Sequence, residues 1–181
     1  MRTFIAIELP DELKKKISDF QRNLKKQDIL DGNWTKNYHL TLKFLGEVNE
    51  GKLKDVVKVL AEIASKTKRF ELEFKNLGAF PSQSYVRVLW VGTGAGDEEA
   101  LVLHEEIDNS LTKLDFEKEK EYTNHLTICR VKAVSDKKKL KEILETKVDF
   151  GKFPVSEFKL IKSSLTEKGP VYESLKTFKL V

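Results

Sequence analysis

The sequence predicts an α+β fold built as two similar halves, and three observations carry that reading. Short apolar runs of period two alternate with stretches of helical period. The same order of elements occurs twice along the 181 residues. A four-residue word led by histidine recurs at the matching place in each copy.

In chain order, Phe4, Ile5, Ala6, Ile7 and Leu9 read as a strand that stops at Pro10-Asp11. Leu13, Ile17, Phe20 and Leu24 then recur at the spacing of an amphipathic helix. A second strand runs from Tyr38 to Leu45. Gly46 and Gly51 bracket its connection to a helix carrying Leu53, Val56, Val57, Leu60, Ile63 and Ala64. The alternating run Phe70 to Phe74 and the run Tyr85 to Val91, separated by the turn Pro81-Ser82-Gln83-Ser84, read as adjacent strands. Gly92-Thr93-Gly94-Ala95-Gly96 is the expected link between approximate halves 1–91 and 97–181 of a single domain spanning 1–181. It lacks the lysine and the spacing of a phosphate-binding loop. The order then repeats: a helix with Leu101, Ile107, Leu111 and Leu114, a strand from Thr123 to Ile128, and a helix with Leu140, Ile143 and Leu144. Strands near Phe158–Ile161 and Tyr172–Leu175 close the chain around Lys168-Gly169-Pro170.

Hydrophobic residues make up 40% and charged residues 34%, the balance of a globular chain with a solvated surface. No apolar run approaches the roughly 18 residues that span a bilayer. The N-terminal strand reaches Glu8 before a signal-peptide core could form, so a cytoplasmic monomer with no membrane contact and no obligate protein partner is expected. Cys129 is the single cysteine, and no Cys/His cluster has zinc spacing, so neither a metal nor a cofactor is expected. A net charge of +4, from 33 basic and 29 acidic residues, suits a polyanionic partner without identifying one.

The chemistry is concentrated in two words. Of three histidines, two open the same pattern: His39-Leu40-Thr41-Leu42 and His125-Leu126-Thr127-Ile128. At average usage of leucine and threonine, chance gives that coincidence on the order of one time in ten thousand. In a strand, residues i and i+2 share a face, so each histidine and its threonine point together into a groove. Leu40, Leu42, Leu126 and Ile128 then turn to the core. Two imidazoles across a groove suit an in-line displacement at phosphorus, one taking a proton from the incoming oxygen and the other protonating the departing one. The hydroxyls of Thr41 and Thr127 can donate to non-bridging phosphate oxygens. Two histidines with no third ligand at fixed spacing make a poor metal site.

The neighbours read as follows. Lys43 shares the parity of His39 and is expected along the same cleft, bound to phosphate. Cys129 shares the parity of His125 and reads as small filler. His104 falls on the helix face away from Leu103, Ile107 and Leu111 and is expected in solvent. Trp34, Tyr38 and Tyr122 flank the histidine strands as candidates for stacking a terminal base.

These residues resemble the two-histidine phosphoesterases, and within them the RNA 2′,3′-cyclic phosphodiesterases, also called 2′–5′ RNA ligases. The likeness runs through Phe4-Ile5-Ala6-Ile7, His39 to Gly46, Phe80-Pro81, Arg87 to Trp90, His125 to Arg130, and Gly169 to Tyr172. It implies a two-lobed fold of antiparallel sheets facing a central cleft, with helices outside. It also implies His125 as the proton acceptor that activates water and His39 as the proton donor to the leaving 3′-oxygen. An RNA ending in a 2′,3′-cyclic phosphate would thus become a 2′-phosphate, or in the reverse sense a 2′–5′ link. Arg130 matches a family arginine suited to phosphate. Strict alternation nevertheless places it on the core side, so that role requires a bulge. Asn124 stands where the family often has proline. Two other readings share the motif: a phosphoesterase acting on small cyclic nucleotides or on cyclic phosphates from tRNA processing, and an RNA-binding module without turnover.

Overall fold

Period-two patterning folds here into nine strands and period-3.6 patterning into four helices; a computed structural model describes all 181 residues. The strands are β1 (Arg2–Glu8), β2 (Leu30–Trp34), β3 (His39–Glu47), β4 (Phe70–Pro81), β5 (Val86–Thr93), β6 (Leu126–Val134), β7 (Asp149–Val155), β8 (Glu157–Thr166) and β9 (Gly169–Lys179). The helices are α1 (Asp11–Lys26), α2 (Glu50–Lys66), α3 (Asp97–Leu111) and α4 (Lys137–Glu145). Local chemistry sets the helix starts. Asn49 accepts the Lys52 N–H before α2, and Asp136 accepts the Lys139 N–H before α4. At α3 the start is Gly96, held at φ 82°, where a Cβ would lie 1.9 Å from the Glu71 carbonyl oxygen. Gly92 and Thr93 finish β5.

Two antiparallel sheets result, one ordered β3-β1-β8-β9 and the other β2-β6-β5-β4-β7. The order shows an exchange. β1 and β3 from the first half are joined by β8 and β9 from the second, while β2, β5 and β4 from the first half share a sheet with β6 and β7 from the second. Neither sheet is therefore complete without strands from both halves. The helices cover the outer faces: α3 packs on β3, α2 on β9 and α3, α4 on β4, and α1 on β7. One contiguous core fills the space between helices and sheets, with Ile5, Ile7, Leu40, Leu42, Leu89, Leu126 and Ile128 at its centre. Phe4, Ala6 and Ile161 form a separate small cluster on the opposite face of the first sheet. The expected α+β architecture of two antiparallel sheets with outer helices is the one observed.

Two strands have no counterpart in the sequence reading. β2, Leu-Asp-Gly-Asn-Trp, is a polar edge strand in which a Cβ at Gly32 would lie 2.4 Å from the Arg130 carbonyl oxygen. β7 is the other edge, and Gly151 at φ 95° interrupts its alternation. The strand expected from Thr123 instead begins at Leu126, so His125 stands just ahead of β6.

One charged pair is enclosed by this packing. The Lys43 ammonium on β3 bonds the Asp108 carboxylate on α3, and both side chains are nearly inaccessible to solvent. Asp108 also accepts the Glu119 N–H, and Lys43 donates to the Glu117 carbonyl oxygen at 2.9 Å. Removing one partner strands the other charge in the interior. Asp108→Ala is therefore expected to lower unfolding free energy by about 3–5 kcal/mol, measured by urea denaturation. The double variant Lys43→Met/Asp108→Leu should recover most of that loss; a single variant within about 1 kcal/mol of the parent, the worth of an exposed pair, would overturn the assignment.

Candidate active site

Both histidine words carry the same irregularity. Between β1 and β3, Ala6 faces Thr41 and Ile5 faces Lys43, which leaves Leu42 as an extra residue. Between β5 and β6, Trp90 faces Thr127 and Leu89 faces Cys129, which leaves Ile128. One extra residue reverses the side-chain alternation beyond it. Leu42 and Lys43 therefore both turn inward, as do Ile128 and Cys129. Phe44 and Arg130 then emerge on the faces that hold Thr41 and Thr127.

The bulges overturn what strict alternation implied for three residues. Lys43 borders the cleft but is 2% exposed and spends its ammonium on Asp108, so it is not a free phosphate ligand. Arg130, expected on the core side without a bulge, is exposed on the Thr127 face. Cys129 sits in the core, and burial, with a contribution from the Asp31 charge, pushes its thiol up to about 12. It is inert filler.

His104 also departs from expectation. It is buried, and its Nδ1–H donates to the Leu42 carbonyl oxygen at 2.6 Å. Its face on α3 looks polar in sequence, but that face lies against the outer edge of β3. The Tyr122 ring stacks on it with centroids 3.5 Å apart. Tyr38 is buried too, its hydroxyl donating to Gln21 Oε1 at 2.7 Å. Tyr38 presents no free face to a base, one face of Tyr122 is covered by His104, and Trp34 is half-buried against the core. The aromatics that do stand open are Phe44 and Tyr85, each at 61% exposure, and Tyr172; of these, Phe44 and Tyr172 lie beside the Phe4 ring in the His39 half. Sequence reasoning passed over both; for Phe44 the missing signal was the bulge.

Each imidazole is framed by aromatic rings. His39 lies 4.9 Å from the Phe4 ring and 5.4 Å from Tyr172, which approaches edge-on. Ala6, opposite Thr41, is the small residue in this frame. On the other side His125 meets Phe80 at 4.9 Å and Trp90 at 6.0 Å. Trp90 fits because Gly78 lies beneath it; a Cβ there would stand 2.2 Å from the indole. A cleft of about 210 Å³ lies between Thr41 and Phe44 of β3 on one side and Phe80, Tyr122, Thr123 and His125 on the other; His39, Thr127 and Arg130 are not part of its wall.

Electrostatics separates the two histidines. His125 donates Nδ1–H to the Thr123 carbonyl oxygen at 2.8 Å, which leaves Nε2 as its lone-pair nitrogen. Burial lowers its affinity for a proton, the Thr123 carbonyl partly opposes that, and the nearby Arg130 guanidinium lowers it further. Burial lowers His39 to about 4; the Glu8 carboxylate pulls the other way, while Lys14 adds slightly to the lowering. Both rings are thus neutral at neutral pH in the free protein. Nowhere do three or more His, Cys, Asp or Glu side chains converge as a metal site would require.

The chain as a whole is similar to known proteins. The LigT-like phosphoesterase family matches at residues 7–90 and again at 91–172. The RNA 2′,3′-cyclic phosphodiesterase of Methanocaldococcus jannaschii is 42% identical over 178 residues, covering 97% of this chain and 99% of that protein. The protein of that name from Methanothermobacter thermautotrophicus is 34% identical, covering 99% of each. Among solved structures, one from Thermus thermophilus superposes with a TM-score of 0.83 at 30% identity, over 99% of this chain and 98% of that one. E. coli LigT complexed with 3′-AMP gives 0.80 at 25% identity, over 99% and 97%. With the family matched in both halves and relatives alike along nearly their whole length, the chain belongs to the LigT-like phosphoesterases.

Proposed function

We propose that this protein is an enzyme that hydrolyses the terminal 2′,3′-cyclic phosphate of RNA to a 2′-phosphate, with His39 as proton donor and His125 as proton acceptor. The observation that carries the reading is the pair of His-x-Thr words on two different sheets whose strands β3 and β6 come together, in a chain alike over nearly its full length to proteins named RNA 2′,3′-cyclic phosphodiesterase. His125 Nε2 takes a proton from water as the water oxygen bonds to phosphorus. The P–O3′ bond breaks in line, and His39 gives its proton to O3′. The Thr41 and Thr127 hydroxyls and the Arg130 guanidinium bind the non-bridging oxygens, where charge redistributes in the transition state. An incoming 5′-hydroxyl in place of water gives, by the same in-line step, a 2′–5′ link.

The charges around the rings favour this direction. Arg130 disfavours a proton on His125, which suits an acceptor, and Glu8 favours one on His39, which suits a donor. Burial opposes the charged form of His39 in the free protein. A phosphate anion bound beside it acts in the opposite sense, so the donor is charged in the complex. Cytoplasmic action by a monomer completes the reading. The buried, unpaired Cys129 suits a reducing compartment, and the main core closes within one chain. No helix is long and apolar enough to cross a membrane.

Three outcomes are expected. His39→Ala and His125→Ala each lower turnover of an oligoribonucleotide ending in a 2′,3′-cyclic phosphate by roughly 10²- to 10⁴-fold, with the parent product identified as the 2′-phosphate by chromatography. A 3′-phosphate product, or a variant with parental activity, would overturn the assignment. The profile of kcat/KM against pH should be bell-shaped with both limbs below 6.5, because burial lowers both imidazoles in the free enzyme. Limbs above neutrality would contradict the burial of the rings. Arg130→Ala should reduce kcat/KM by roughly ten- to hundredfold, the worth of a hydrogen bond between charged groups. It should also move the His125 limb to higher pH, since losing a nearby positive charge makes the imidazolium easier to form; an unmoved limb would separate Arg130 from His125.

A further inference from the structure

The segments that lead into the two histidines are docked crosswise. β2 runs along β6, and beyond it the Thr35 N–H donates to the Ile128 carbonyl oxygen at 2.9 Å. Gln21 Nε2 donates to the Thr35 carbonyl at 2.9 Å, and the Tyr38 hydroxyl holds Gln21 Oε1. The entry to His39 is thus held by the strand that carries the other word.

The entry to His125 has no such strand to follow. β3 is the edge of its sheet, so the carbonyls on its outer side lack ladder partners. Side chains supply them. His104 Nδ1–H reaches the Leu42 carbonyl oxygen at 2.6 Å, and the Tyr122 hydroxyl reaches that of Thr41 at 3.0 Å. The two rings stack with planes 7° apart. Below them, Asn124 Nδ2 donates to Asp97 at 2.8 and 2.9 Å, and Asp108 accepts the Glu119 N–H. Segment 119–125 is thereby fastened to β3 and α3.

We propose that Tyr122 and His104 are positioning residues that set His125 against the Thr41 half-site, a role that rests on the acid–base reading above. In-line transfer needs the two imidazoles at opposite apices of one phosphorus, and a displacement of about 1 Å can cost on the order of 10²-fold in rate. Nothing in either word fixes that separation, because each word sits on a different sheet. The crosswise docking does. Burial, with the Glu119 and Asp97 charges, raises the Tyr122 hydroxyl well above its usual range, so it stays a donor through the working pH. Both rings act through backbone carbonyls, and the hydroxyl of Tyr122 is already committed to Thr41.

Tyr122→Phe keeps the ring and its stack and deletes one donor; His104→Phe keeps a stacking ring and deletes the other. Each should lower kcat roughly ten- to hundredfold while KM stays within about twofold, and each should speed amide hydrogen exchange within residues 119–125. Tyr122→Phe guards against a folding failure of the His104 variant. A raised KM with kcat retained would make Tyr122 a substrate contact and overturn the proposal, as would unchanged kcat with unchanged exchange. If the parent enzyme itself failed to open the cyclic phosphate, the functional reading would fall. The exchange measurement would still decide whether the two side chains hold the loop.

Discussion

One extra residue inside each histidine word, Leu42 and Ile128, organises the rest of this molecule. A strand has a side-chain period of two, so a single inserted residue exchanges the two faces for the residues that follow it, up to the next irregularity. Ahead of the bulge, His39 and Thr41, or His125 and Thr127, share the cleft face. At the bulge two consecutive residues enter the core, and past it the next side chain returns to the cleft. Without the insertion Arg130 would lie buried among helices and Lys43 would carry a bare charge into the cleft. Bulges beside active sites commonly re-aim side chains in this way.

The exchange of strands between sheets gives the cleft its rigidity. Each sheet needs a strand from the opposite half of the chain, so the halves do not separate without breaking ladders in both sheets. The core face of β3 is then sealed by α3, and the buried Lys43–Asp108 pair lies at that seam. Its worth is specificity of docking more than raw stability, since desolvation offsets much of the attraction. Asp108 faces both Lys43 and the Glu119 N–H, and so ties helix, strand and loop at one carboxylate.

Two equivalent half-sites would be a poor acid–base catalyst, because one must give a proton and the other take it. The duplication is broken at matching positions. Arg130 follows one bulge and Phe44 the other; Trp90 faces Thr127 where Ala6 faces Thr41; Glu8 lies beside His39. The backbone frame is repeated, while the charges and ring sizes laid on it differ. Burial lowers the proton affinity of both imidazoles, and those differences add opposite biases to it: Glu8 favours a proton on His39 and Arg130 disfavours one on His125.

The sequence by itself determined the elements with strong period, the doubled order, and the pair of His-x-Thr words, since each depends only on neighbours along the chain. A histidine and the threonine two places on share a face in any strand. What lies past position four of each word was decided by pairing between strands, because a bulge is a relation to β1 or β5 and leaves no mark in the bulged segment. Lys43, Arg130 and Cys129 all turned on that. His104 turned on the position of α3 against the open edge of β3, which made a polar helix face a buried one. β2 and β7 were hidden for a related reason: edge strands carry polar residues, glycine and proline, and only the sheet beside them makes them strands.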